Sequence, residues 1–234
     1  AAVNEIFTNR PYRALDDLLF DEEGEWRHSK LNKGCLESLI LTESLGSLQE
    51  FKDEKLSNHN QLHKMIIDNY DILRKGRTGM TKTATKKWVK QHGKEPHIIS
   101  KLIEETADVA DWSRYEKIKN FIEILTTASE ELLFPPAVMA KIERSNVPSA
   151  MQIQPGTKAV VWFCARGWVK KQTKNGKTFY TVHALDNNSE LGRIRVWGTF
   201  KEEPDAYTMW LAEVEYDANW GMSSSAMKMR KIEV

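Results

Sequence analysis

Cysteine is scarce in this chain. Its 234 residues include two, Cys35 and Cys164, far apart and without CxxC spacing. That excludes a cysteine-rich zinc site within the chain and favours a reducing compartment, with the cytoplasm as the expected location. No run of about 18 apolar residues occurs, which argues against a helical membrane span. The first residues lack a basic stretch followed by an apolar one, so no secretory signal is visible. Net charge is almost absent as well: 34 Lys and Arg against 33 Asp and Glu leave +1. Whole-chain charge therefore gives no argument for a polyanionic partner, and only its local distribution can. There is no Gly-x-x-x-x-Gly-Lys loop and no Ser-His-Asp arrangement. His59 and His63 stand four apart, as one edge of a zinc site would. They have no obvious third ligand and read as surface histidines. No catalytic residue is assigned.

What is present divides the chain by composition. Residues 1 to about 145 read as helical. A helix over Ala2 to Thr8 stops before Pro11. Leu15 to Phe20 is a short apolar segment, followed by an acidic loop from Asp21 to Gly24. Asn32 is placed to cap a helix over Lys33 to Ser44, closed by Gly46. Further helices follow Ser57, run from Thr81 to a stop at Gly93, open at Pro96, are capped by Ser113, and end at Arg144 after the break at Pro135-Pro136. Ser145 to Gly156 is linker-like. Beyond it, strand-forming residues and tryptophans dominate. The fold expected is α+β: a helical region, then a β-barrel over residues 155–234.

The barrel reading rests on three segments: Gly156-Thr-Lys-Ala-Val-Val-Trp-Phe-Cys-Ala-Arg-Gly-Trp168, Thr173-Lys-Asn-Gly-Lys-Thr-Phe-Tyr-Thr-Val-His-Ala-Leu-Asp186 and Gly192-Arg-Ile-Arg-Val-Trp-Gly198. Asn175-Gly176 suits a type I′ hairpin. The pattern is that of a small Greek-key barrel of the oligonucleotide-binding (OB) kind. On a pleated strand, Val182 and Ile194 pointing inward would put Phe179, His183, Arg193, Arg195 and Trp197 outside. Aromatics stack on bases and arginines neutralise phosphates, so one face offers both. Trp168, Lys170, Lys171, Lys174 and Lys177 extend this candidate surface along the first hairpin. The alternative is that Phe179 and Trp197 pack against the helical region.

Two features lie outside the barrel. Between Ile72 and Lys94 stand eight basic residues, Arg74, Lys75, Arg77, Lys82, Lys86, Lys87, Lys90 and Lys94, with no acidic residue among them. Clustered cations release counterions when they meet phosphates, which makes the run a candidate DNA-backbone contact. A solvated helix face is the other reading. Glu130-Glu-Leu-Leu-Phe134 is similar to the short peptide that inserts into a sliding clamp, through Glu130, Leu133 and Phe134. It lacks the usual first Gln, and an amphipathic helix end would look the same.

The N-terminal stretch carries a family resemblance. Asn9-Arg-Pro-Tyr-Arg-Ala-Leu-Asp-Asp-Leu-Leu19, Lys30-Leu-Asn-Lys-Gly-Cys-Leu-Glu-Ser-Leu-Ile40 and Ser44-Leu-Gly-Ser-Leu48 resemble the tandem helix-hairpin-helix region of bacterial DNA polymerase III alpha subunits, the C-family replicative polymerases. Leu45-Gly46 stands where the family often has Phe-Asp. The barrel fits the OB domain that follows the hairpins there. The resemblance implies a partial helix-hairpin-helix region over 1–56, a helical region over 57–145 with the basic run and the clamp peptide, and the barrel over 155–234. It further implies that Lys30, Asn32 and Lys33 touch duplex phosphates, and that the barrel holds template single strand. The expected partners are single-stranded and duplex DNA, a sliding clamp and the rest of a polymerase chain. Nucleotidyl transfer and its magnesium would belong to a palm domain outside these residues, with no cofactor in this segment. The Ala start reads as a piece cut from a longer protein, and the final strand near Ile232 as a natural end. A free-standing single-strand-binding or polymerase accessory protein, a tRNA-binding enzyme's barrel, and a barrel that docks only on protein are the competing readings.

Overall fold

The computed structural model describes residues 2–48, 50–51, 54–96 and 98–233. The chain forms two compact units, Ala1–Ser113 and Arg114–Val234. Among the described residues no helix is long and apolar enough to cross a membrane.

The first unit is helical apart from one small hairpin, β1 (Glu50–Phe51) against β2 (Glu54–Lys55). That hairpin falls in a stretch the sequence pattern assigns to helix. Leu15, Leu18, Leu19, Phe20, Leu31, Leu36 and Ile40 join Leu62, Met65 and Ile66 in one core. Asn32 caps the helix Lys33–Leu41, accepting the Cys35 N–H at 2.9 Å. The helix ends three residues before the expected Ser44, and Glu43, not Gly46, takes the left-handed conformation at φ 52°. The helix expected after Ser57 is His59–Ile67, capped by Asn58, whose side chain accepts the Gln61 N–H at 2.8 Å. The helix Lys82–His92 begins at Thr81 and stops at Gly93 (φ 73°), as expected. The next helix is Ile98–Glu105, so Pro96 lies before it rather than inside it. Gly76 has a steric reason to be glycine: at φ 106° an added Cβ would lie 2.8 Å from the Gly24 carbonyl oxygen. That close approach brings the two turns together, and Arg77 N–H donates to the same carbonyl at 2.7 Å.

The second unit is an OB-like barrel with three helices, Arg114–Leu125, Glu130–Leu133 and Pro136–Arg144. Its strands are β3 (Lys158–Gln172), β4 (Thr178–Leu185), β5 (Leu191–Trp197), β6 (Thr208–Asp217), β7 (Gly221–Ser225) and β8 (Met229–Lys231). Five of them close in the order β3-β4-β5-β7-β6, and β6 returns to pair with β3. The pairs are antiparallel except β5 with β7, which run parallel, and β8 is added beside β6.

The burial pattern explains the sequence pattern. In β4 and β5 every second residue is buried, with Tyr180, Val182, Ala184, Ile194 and Val196 inside. In β3 five consecutive residues, Val161 to Ala165, are buried. Val161, Phe163 and Ala165 fill the barrel, while Trp162 and Cys164 face outward into a second cluster with Phe134, Val138, Ile142 and Met209. A strand covered on both faces reads as a continuous apolar run. The β3–β4 hairpin departs from the expected type I′ turn. Only Gly176 of the pair has positive φ, at 75°. The Gly176 N–H donates to Thr173 O at 3.0 Å and Thr173 N–H to Lys177 O at 2.9 Å, leaving a three-residue loop that ends on a left-handed glycine.

Burial separates the two thiols. Cys164 is fully enclosed, and desolvation pushes its pKa up to about 11, against a smaller opposing pull from Arg114. Cys35 is partly exposed. A thiol must ionise and be reached to react. Ellman's reagent at about pH 8 is therefore expected to titrate one thiol in the native protein and the second only in denaturant. Rapid reaction of both would show that the helices over Cys164 open readily.

Candidate nucleic-acid interface

The outward positions of β4 and β5 lie directly opposite one another. Phe179 faces Trp197, Thr181 faces Arg195, and His183 faces Arg193. On the β3 side the same rows continue to Lys171, Val169 and Gly167. On the β7 side Ser225 and Ser223 lie beside Trp197 and Arg195. The rings of Phe179 and Trp197 are 5.2 Å apart at an interplanar angle of 42°. The Arg195 guanidinium carbon lies 5.8 Å from both ring centroids. The result is an aromatic pair with a cation against it, on a strand face where Trp197 keeps 36% of its surface exposed. Such a surface offers stacking and phosphate neutralisation in two adjacent rows.

The two ends of the face differ. Lys171 and the exposed loop lysines Lys174 and Lys177 lie at the Phe179–Trp197 end. At the other end, Arg193 and His183 border a groove of about 580 Å³ that also takes in Arg166, Gly167 and Tyr207. Trp220 lies at this end too, in the β6–β7 turn just before Gly221. It is 75% exposed, and its backbone N–H is held by the Asp217 carboxylate at 2.9 Å. Sequence reasoning did not single out Trp220 or Arg166 as candidates. Trp220 had a readable signal: a tryptophan inside an Asp-Ala-Asn-Trp-Gly turn has no strand face on which to bury.

Trp168 and Lys170 lie on the opposite pleat from the face. Trp168 makes edge contacts with Tyr180, Phe200 and Trp210, with ring centroids 5.3 to 6.2 Å away. Its indole N–H donates to Asp205 O at 3.1 Å. Lys170 pairs with Glu203 at 3.3 Å, and that bond holds its ammonium above the usual lysine range.

In the helical unit, Lys30, Asn32 and Lys33 are exposed around the start of the helix Lys33–Leu41. The basic run divides. Arg74 donates to the Tyr70 hydroxyl at 3.1 Å and stands over the Trp26 ring. Arg77 is paired with Asp16 at 2.6 Å. Lys82 is paired with Glu23, whose hydrogen bond raises its pKa. Lys75, Lys86, Lys87, Lys90 and Lys94 are exposed, and the helix Lys82–His92 buries none of its residues. Lys82, Lys86 and Lys90, each four residues apart, form one stripe along it.

Phe134 is 6% exposed and packs edge-on against Trp162, so a clamp pocket could take it only by opening that cluster. Arg114 fixes the same segment, donating to Leu132 O at 2.8 Å and Leu133 O at 2.6 Å. Glu130 is exposed and Leu133 partly so. His59 lies against Glu43 and His63 against Glu37. Among the described residues no group of three or more metal-ligating side chains gathers. No protein-family model matches the chain, and no curated protein matches it.

Proposed function

We propose that this chain is a non-catalytic DNA-binding segment whose barrel holds single-stranded DNA across the outer face of β4 and β5. The observation that carries the reading is the Phe179–Trp197 pair with Arg195 against both rings. An aromatic pair left at the surface beside a cation gains nothing for the barrel core, which Tyr180, Val182, Ile194 and Val196 already fill. It is suited to bases, each of which has a π-face, with the guanidinium placed for the backbone. The OB-like strand order supports the reading, since this strand pair is the usual oligonucleotide face of that fold. The fold alone would not carry it.

The helical unit would contribute phosphate contacts through Lys75, Lys86, Lys87, Lys90 and Lys94, and through Lys30, Asn32 and Lys33 in the role of a helix-hairpin-helix element. The resemblance to polymerase III alpha subunits gives the segment a setting: duplex held by the helices and template single strand by the barrel, beside a catalytic palm on another part of the protein.

Titrating the chain against labelled single-stranded, duplex and primer-template DNA over a range of salt tests this. Tight binding with a steep salt slope is expected, strongest at the primer-template junction. Each phosphate contact contributes roughly 0.7 to 0.9 to that slope. Binding to single strand without preference for the junction would favour a free-standing single-strand-binding protein. No binding to any DNA at low salt would remove the proposal.

A further inference from the structure

The groove at the Arg193 end of the face is built by local backbone devices that the barrel itself does not require. The register of β3 against β4 slips between Ala165 and Gly167, a bulge that turns Arg166 out to solvent. Bulges of this kind re-aim a side chain beside a site. Gly167 follows, and a Cβ placed there would meet nothing within 4 Å, so the groove is open where the row His183–Arg193 would otherwise gain a neighbour. Across it, Tyr207 holds a left-handed backbone at φ 56°, which is strained for an aromatic residue. It is fixed there at both ends: its N–H donates to Ala165 O, and its carbonyl accepts from Arg114 at 3.3 Å. Strain held by several bonds beside a groove is a mark of a working site. No carboxylate lines the groove, while two guanidinium groups, an imidazole and a phenol do. Its volume of about 580 Å³ falls within the range of small-ligand sites, roughly 300 to 1,000 Å³.

We propose that this groove is a phosphate subsite of the same nucleic-acid strand, with Arg166 and Arg193 on the phosphate and Tyr207 against the adjoining nucleoside. The inference rests on the single-strand reading of the β4–β5 face and extends it. Trp197 and Arg193 are four residues apart on β5, roughly 13 Å along the strand at about 3.3 Å per residue. A short oligonucleotide on the aromatic pair would therefore stop short of the groove, and a longer one would enter it. A phosphate at the end of a strand has the same chemistry, so 5′-phosphorylated and 5′-hydroxyl oligonucleotides distinguish an end from a passing backbone.

The test is a fluorescence-anisotropy titration of oligothymidylates from about 4 to 16 nucleotides, the span of site sizes known for such barrels. Wild type, Arg166→Ala and Gly167→Leu are compared at salt from about 50 to 200 mM. Arg166→Ala is expected to lower the salt slope on long oligothymidylates by about 0.7, one single-strand phosphate contact, and to leave the shortest unaffected. Gly167→Leu, which fills the groove without disturbing a positive-φ position, is expected to remove the gain in affinity with length. A response confined to 5′-phosphorylated strands would support the subsite as one for a strand end. If Trp197→Ala weakens binding while both groove variants leave slope and length dependence unchanged, the inference falls and the single-strand reading stands. Equal losses at every length would also overturn it, since they mark a damaged barrel. If wild type binds no oligothymidylate at low salt, the reading of the face falls first.

Discussion

Replacing Trp197 with alanine is expected to weaken single-stranded DNA binding by about 1 to 3 kcal/mol, roughly a 5-fold to 150-fold loss, as for other bases stacked on an aromatic side chain. The size of the effect depends on what else the ring does. Trp197 touches Phe179 and stands near Arg195, and it retains 36% of its surface. Its truncation removes little from the core, so thermal stability should change far less than affinity. Arg195→Ala should act in a different way. The guanidinium lies against both rings, and on the proposed reading it would also meet the phosphate backbone, so its loss should reduce both affinity and salt slope, the slope by about 0.7. Trp168→Ala is the contrasting variant. That ring joins Tyr180, Phe200 and Trp210, so its loss should destabilise the barrel. Circular dichroism melting beside anisotropy separates the two kinds of loss. Unchanged affinity in both Trp197→Ala and Arg195→Ala would sink the nucleic-acid reading of this face and leave the aromatic pair as a surface for protein.

The barrel face was legible because β4 and β5 have one buried side each. Period-two alternation then states directly which residues point out, and the observed burial of Val182 and Ile194 follows it. Where that condition fails, so does the reading. In β3 both sides are covered, and the run Val161 to Ala165 gives no sign of which residues face the helix Pro136–Arg144. The same outer cluster makes Phe134 a packing residue, a fact that depends on Trp162, 28 positions away. The bulge at Arg166 is equally silent: one extra residue moves the odd-numbered positions from the barrel interior, where Val161, Phe163 and Ala165 lie, to the outer face, where Gly167, Val169 and Lys171 lie, and so turns Trp168 and Lys170 to the inner pleat. In the helical unit, the cap at Asn32 and the stop at Gly93 were readable from local chemistry. The β1–β2 hairpin is too short for its alternation to stand out.

Arg77→Ala is expected to destabilise the helical unit by about 3 to 5 kcal/mol, the usual consequence of leaving a buried charge without its partner. The sequence places Arg77 in the basic run, among residues that read as phosphate contacts. The structure gives it a prior commitment. Its guanidinium lies 2.6 Å from the carboxylate of Asp16, which is 6% exposed and flanked by the fully buried Leu15, Leu18 and Leu19. It also sits over the Phe20 ring, 5.8 Å from its centroid. An exposed carboxylate could turn to water when its partner is removed, but Asp16 has little access to any. Against a typical domain stability of about 5 to 15 kcal/mol, such a loss is large. Lys86→Ala, on an exposed helix face, should stay within about 0.5 kcal/mol. Urea denaturation of both variants measures the difference. The two classes of basic residue should then separate in DNA binding as well: Lys86→Ala lowers affinity with stability intact, and any loss in Arg77→Ala comes with a shifted unfolding midpoint. Pairing Arg77→Met with Asp16→Leu should recover most of the stability, because an apolar pair of similar volume leaves no charge to desolvate. An unshifted midpoint in Arg77→Ala would mean that Asp16 reaches water by another route, and Arg77 would return to the phosphate-contacting set.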